Sequence, residues 1–190
     1  KMFVMAARAG YHHGDLRPAL LRAAVATIDE VGAAAMSMRE VARRAGVSHT
    51  AATYHFGDRA GLLTAVAAEG YRLLGEALAT ARRERASFLE VGVAYVQFAV
   101  THRAHYDVMF QPALYDRHEP AVQQAKQQTA ALLYGTADAD EAQVAAGVAA
   151  WSLVHGLATL WLNGNLPPRL GDDIEAITRL VAPHLRVPQA

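Results

Sequence analysis

An all-α fold is predicted by three observations. Alanine, the strongest helix former, is the commonest residue with 41 occurrences. Strand-favouring runs of Val, Ile and Thr are nearly absent. Apolar residues recur at helical spacing between breaks rich in capping and turn residues, which divide the chain into about nine helical segments.

The elements follow in order. Asp15 can cap a first helix in which Leu16, Leu20, Ala23, Ala24, Ile28 and Val31 fall near a 3.6-residue period, with Pro18 tolerated in the first turn. Ser37-Met38-Arg39-Glu40 reads as a capping box opening the second helix, and Gly46 stops it. Ser48 caps a very short third helix ending near Phe56, and Asp58 caps a long fourth helix running to about residue 85. The fifth (88–101) and eighth (140–163) are apolar on every side and are expected to be buried all round. On the eighth, Val144, Val148, Trp151, His155, Ala158 and Leu162 form one stripe, and Ala146, Ala149, Leu153, Leu157 and Leu160 another. A last helix occupies about 172–184.

Composition narrows the class. A chain of 190 residues buries a sizeable core without staples, and the lack of cysteine excludes a disulfide scaffold, a zinc finger and a cysteine nucleophile. No continuous apolar run reaches the roughly 18 to 20 residues of a bilayer span, and the apolar stretch within residues 1–10 is too short for a signal segment. The expectation is a cytoplasmic protein with no membrane partner, its residues 1–13 a loose arm. The net charge of zero conceals an asymmetry: residues 1–60 hold eight basic and five acidic side chains. A capped helix, the turn Gly46-Val47-Ser48 and a second short helix on that basic end have the layout of a helix-turn-helix, whose second helix enters the DNA major groove.

These residues also resemble a family. Leu20-Leu21-Arg22-Ala23-Ala24, then the run from Ser37 to Ser48, then Tyr54-His55-Phe56-Gly57-Asp58-Arg59-Ala60-Gly61-Leu62-Leu63, resemble the DNA-binding domain of TetR-type (tetracycline-repressor-like) regulators. Tyr11 to Arg17, together with Trp151-Ser152-Leu153-Val154-His155-Gly156, resemble a subgroup with a Trp-His-Gly signature in its C-terminal domain. The resemblance implies a helix-turn-helix domain at 14–63 and a ligand-binding and dimerisation domain at 64–190. It implies phosphate contacts from Arg17, Ser48 and Arg59, and base-edge positions at His49, Thr50 and Ala51. Where the family commonly has Tyr, this chain has Thr53, followed by Tyr54; either hydroxyl is a candidate for the usual tyrosine contact. Arg39 is a further phosphate candidate, whereas Arg43 and Arg44 are as readily a solvated face. His55 and Phe56 are read as structural.

The resemblance further implies that the last two helices pair with a second copy, so that one stripe of the eighth faces a partner; Ala146, Ala149, Leu153, Leu157 and Leu160 are taken as that stripe. A pocket for a small apolar or aromatic ligand is expected from Tyr95, Phe98, His102, Tyr106, Met109, Phe110, Tyr134, Trp151 and His155, an aromatic set with a few polar tips. His105 joins it as a neighbour. No metal or cofactor is implied. The reading is a homodimeric repressor that a ligand releases from a palindromic operator. A dimeric DNA-binding regulator without inducer is the alternative. A helical enzyme is the alternative of another class, weakened because the chain has no Gly-rich phosphate loop, nucleophile elbow or HExxH motif.

Overall fold

A computed structural model describes residues 16–184 except 86 and 137. The expectations for the arm and for the Asp15 cap lie outside the described residues. Every described element is helical. In chain order they are α1 (Leu16–Val31), α2 (Met38–Arg44), α3 (His49–Phe56), α4 (Arg59–Arg85), α5 (Phe88–Thr101), α6 (Arg103–Met109), α7 (Pro120–Tyr134), α8 (Glu141–Leu162) and α9 (Ile174–Val181). Short 3₁₀ turns cover Pro168–Leu170 and Ala182–His184, so α9 is shorter than the segment expected at its position.

Local capping sets most boundaries. Ser48 Oγ accepts from Ala51 N at 3.1 Å and Asp58 Oδ1 from Gly61 N at 2.9 Å, opening α3 and α4. The box expected at α2 is only half formed. Ser37 Oγ accepts from Glu40 N at 3.3 Å, but the Glu40 carboxylate turns away to Arg43 and Arg44, because two guanidinium groups outbid one amide. A complete box opens α8, where Asp140 Oδ1 accepts from Gln143 N and Gln143 Oε1 from Asp140 N.

Helix α4 is the spine. Its first turns pack with α1 and α3, and beyond them it lies against α5, α6 and α7. Helix α5 sits between α4, α8 and α9 and buries Val91, Val93, Tyr95, Val96, Phe98 and Ala99. Its burial is incomplete, since Phe88 and Gln97 stay exposed. Helix α8 departs further from the expectation: only Gly147, Val154, Leu157 and Ala158 are buried, while Ala145, Val148, Ala149, Ser152 and Leu160 are exposed. Its 22 residues are, by length and composition, apolar enough to cross a membrane, contrary to the reading from continuous runs. Gln143, Ser152, His155 and Thr159 interrupt the run without lowering its average far enough.

Candidate functional sites

The four residues that α3 presents outward are His49, Thr50, Thr53 and Tyr54, while Ala52 and Phe56 are buried beneath them. Spacings of four place His49 with Thr53 and Thr50 with Tyr54 on one helix face. Tyr54 is 86% exposed, an unusual position for a large aromatic ring. The Thr53 hydroxyl donates to the His49 carbonyl at 3.0 Å and keeps an acceptor lone pair outward. Ala51 is half-buried against the core rather than presented with its neighbours, because it lies on the flank of α3 nearer Ala52. His55 is also half-buried.

The basic residues divide by their partners. Arg43 donates twice to the Glu40 carboxylate, at 2.8 and 2.6 Å. Arg44 bridges Glu40 and Glu30, joining α2 to α1. These guanidinium groups hold the Glu40 carboxyl down to about 2. Arg39 is exposed on the same helix with no ion pair among the described residues. Exposed Arg17 lies with its guanidinium 5.1 Å from the centre of the Phe56 ring.

Arg59 departs from its expected role. Its Nε donates to the Met36 carbonyl at 3.0 Å, and one Nη to the carbonyls of Ala33 and Ala34 at 2.5 and 3.1 Å. The half-buried fork therefore clamps the α1–α2 loop to the start of α4, because that loop presents three carbonyls without helical partners. Arg59→Ala is expected to destabilise the protein by about 2–4 kcal/mol, since several acceptors lose charged donors together. Thermal melting checks this; an unchanged melting temperature with weaker DNA binding would restore the phosphate role.

In the second half the aromatic residues converge unequally. Tyr95 Oη lies 2.8 Å and Tyr106 Oη 2.9 Å from His155 Nδ1. The Tyr106 hydroxyl is also 3.2 Å from Thr159 Oγ1. Phe110 stands edge-on to the His155 ring at 4.5 Å, and Trp151 lies 5.7 Å from it, one helical turn back. Burial pushes His155 below the ordinary imidazole range and raises both tyrosines, so all three are neutral near pH 7. Buried Met109 presents its carbonyl to the hydroxyls of Tyr71 and Tyr115, at 3.1 and 3.0 Å.

Three of the expected pocket residues also line other clefts. Phe98 and His102 stack at 4.8 Å and line a cleft of about 820 Å³ between α4, α5 and α9. Tyr134 lines one of about 780 Å³ beside α5 and α8, though its ring is also 6.1 Å from that of Trp151. A further cleft of about 870 Å³ lies between α1, α4 and α7.

Contacts between distant segments escaped the sequence reading. Asp29 Oδ1 on α1 accepts from Ala104 N at 3.1 Å, capping the start of α6. Glu69 on α4 meets His105 Nε2 at 2.9 Å, and Arg179 on α9 pairs with Glu90 on α5. No spacing rule reaches such pairs, which lie 36 to 89 residues apart.

Residues 88–185 match the family described as "Tetracyclin repressor-like, C-terminal domain", and residues 20–66 match "Bacterial regulatory proteins, tetR family". The HTH-type transcriptional regulator BetI of Paraburkholderia xenovorans is 29% identical over 161 residues, covering 79% of this chain and 82% of that protein. That of Stenotrophomonas maltophilia is 40% identical over 68 residues, so this shorter match spans only 35% of the relative and 36% of this chain. A solved protein of unknown function from Rhodococcus sp. RHA1 superposes with a TM-score of 0.73 at 31% identity, over 93% of this chain and 96% of that one.

Proposed function

This chain belongs to the tetracycline-repressor-like (TetR) family of DNA-binding transcriptional regulators, and on that premise we propose a homodimeric repressor released from a palindromic operator by a small apolar or aromatic ligand. It is a regulator rather than an enzyme. The outward face of α3 carries the reading. His49, Thr50 and Thr53 bring ring, hydroxyl and methyl groups to base edges, while Ser48, Arg39 and Arg17 flank them as phosphate partners. Tyr54 takes the hydroxyl contact on the exposed face. Selecting sites from random DNA is expected to yield a palindrome bound with a steep salt dependence. Tyr54→Ala is expected to weaken binding to it about tenfold, measured by anisotropy. An unenriched pool would refute operator recognition.

The exposed face of α8 supports pairing with a second copy. Gly156 lies at its centre, and a Cβ added there would meet nothing within 4 Å. Glycine inside a helix is about 1 kcal/mol less favourable than alanine, so a close external neighbour is the physical reason for it. Ala149, Leu153 and Leu160 accompany it on or beside the open face; Ala146 is half-buried by α7 and Leu157 is buried in the chain's own core. Of the two stripes on α8, Leu157 therefore packs with the core and Val148, assigned to the inner stripe, is exposed. The interface follows Ala145, Val148, Ala149, Ser152, Gly156 and Leu160. Gly156→Trp is expected to convert dimer to monomer in sedimentation with helicity retained; an unchanged dimer would exclude this face.

Signal transfer runs through α6. It carries Tyr106 and Met109, and its first turn is held by Asp29 of α1. A ligand that prefers one packing of Tyr106 thereby biases the position of the reading domain, to the extent of its differential affinity. Membership of the subgroup with a Trp-His-Gly signature is proposed on Trp151, His155 and Gly156, and the cytoplasm, where operator DNA resides, is the proposed location.

A further inference from the structure

The Tyr95 hydroxyl lies 2.8 Å from His155 Nδ1 and beside the Tyr106 hydroxyl. With its proton directed at the imidazole, Nδ1 is bare and the imidazole proton sits on Nε2. Burial keeps the ring neutral, which is compatible with that tautomer. A bare Nδ1 offers a single lone pair, so the Tyr106 hydroxyl turns to Thr159 Oγ1 at 3.2 Å or to the His155 carbonyl at 3.4 Å. The Thr159 hydroxyl itself donates back to the His155 carbonyl at 2.9 Å.

Two N–H groups are then left over. Trp151 Nε1 is buried and makes no well-formed hydrogen bond, although the Tyr95 hydroxyl stands near it, and His155 Nε2 makes none among the described residues. Both belong to α8, four residues apart, on rings 5.7 Å between centres. Phe110 and Tyr134 lie around them, and Phe110, Tyr134, Trp151 and His155 are each half-buried, which gives the cluster an edge toward solvent. An orphaned buried donor costs about 1–3 kcal/mol, which an incoming acceptor would recover.

Building on the ligand-responsive reading above, we propose that this site takes a neutral apolar or aromatic molecule bearing a carbonyl, whose oxygen accepts from Trp151 Nε1–H and His155 Nε2–H. A carbonyl oxygen has two lone pairs and so can satisfy two donors at once. Carboxylates are disfavoured. No Lys or Arg is among the residues that build the cluster, and a buried anion without a cation bears a large desolvation penalty. Trp151 Nε1–H and His155 Nε2–H are donors and call for an acceptor rather than a cation.

Matched probes test the proposal: indanone against indane, an acetylnaphthalene against the corresponding ethylnaphthalene, and a naphthoate. Affinities come from calorimetry on the full-length dimer. The Trp151 indole N–H resonance, assigned by Trp161→Phe, is followed by NMR. Each ketone is expected to bind about tenfold tighter than its hydrocarbon and to move the Trp151 resonance downfield, with the naphthoate weaker than the ketone. In Trp151→Phe the preference for the ketone is expected to fall by severalfold while the hydrocarbon still binds. Equal affinity of ketone and hydrocarbon, an unmoved resonance in the bound ketone, or an undiminished preference in Trp151→Phe would overturn the carbonyl assignment and leave the ligand-responsive reading standing. Tighter binding of the naphthoate would overturn neutrality. Failure of every probe to bind would count against both the carbonyl head group and the cluster as a sensor.

Discussion

Gly61→Ala is expected to abolish operator binding while leaving most of the helical content in place. A Cβ on Gly61 would stand 2.0 Å from the Phe56 carbonyl oxygen and 3.2 Å from its carbon. That carbonyl is backbone at the end of α3, and it already accepts from Asp58 N at 2.9 Å in the corner between α3 and α4. Gly57, with φ of +74°, completes the corner, so the chain there has little freedom to yield. Relief requires α3 to swing away from α4, which shifts His49, Thr50 and Tyr54 together relative to α1 and α2. A cost of about 2–4 kcal/mol is expected, toward the upper end of overpacking because the obstacle is backbone. Anisotropy on the selected operator should show at least a hundredfold loss. Retained affinity would mean that the α3–α4 corner can open without moving the reading face.

Gly147→Ala is expected to act at the opposite end with comparable size. Its Cβ would lie 2.4 Å from Tyr134 Cα, 2.5 Å from Tyr134 Cβ and 2.9 Å from the Leu133 carbonyl oxygen. Helices α7 and α8 touch backbone to backbone at this point, so the methyl can be admitted only by separating them. About 2–4 kcal/mol of stability is expected to be lost, which for a chain of this size is roughly 5–15 °C in melting temperature. Separation also moves Trp151 relative to Tyr134, whose rings are now 6.1 Å apart. Ligand affinity should therefore fall more than operator affinity measured at a temperature where the variant is folded. Equal losses at both sites would point to general unfolding instead.

What could be read from the residues alone was local. Ser48 and Asp58 cap helices through amides three residues away, so their spacing is visible in the chain, and with them the short helix pair and its turn. The half-formed box at Ser37 marks where that locality ends. Glu40 is drawn to Arg44, whose second partner Glu30 lies on another helix. Arg59 sits where the family resemblance implies a phosphate contact, yet its orientation is decided by carbonyls 23 to 26 positions earlier in the chain. The aromatic types around His155 were legible as a set, but not the bonds from Tyr95 and Tyr106, which close over 60 and 49 residues. On α8 both stripes are apolar, so hydropathy could not decide between them. The folded chain divides neither as a whole: Val148 of one and Ala149 and Leu160 of the other are exposed, while Ala158 and Leu157 are buried.

The continuity of α4 bears on how such a regulator can change its inducer. Leu62, Leu63, Val66 and Ala67 are fully buried on both sides of residue 63, within one core that extends from Leu16 to Ile177. A recombination event at the sequence boundary between the two halves would splice foreign surfaces together inside a helix. An exchange placed after α4 avoids that cut, but only if the incoming α6 still offers its amide to Asp29. Inheritance of a new sensor as a cassette is thus penalised twice, by packing and by a lost cap. Point substitutions at the half-buried Phe110, Tyr134 and Trp151 cut no helix and leave the Asp29 cap in place. If the cluster around His155 holds the ligand as proposed, its specificity diverges more readily by drift of those side chains than by shuffling of halves.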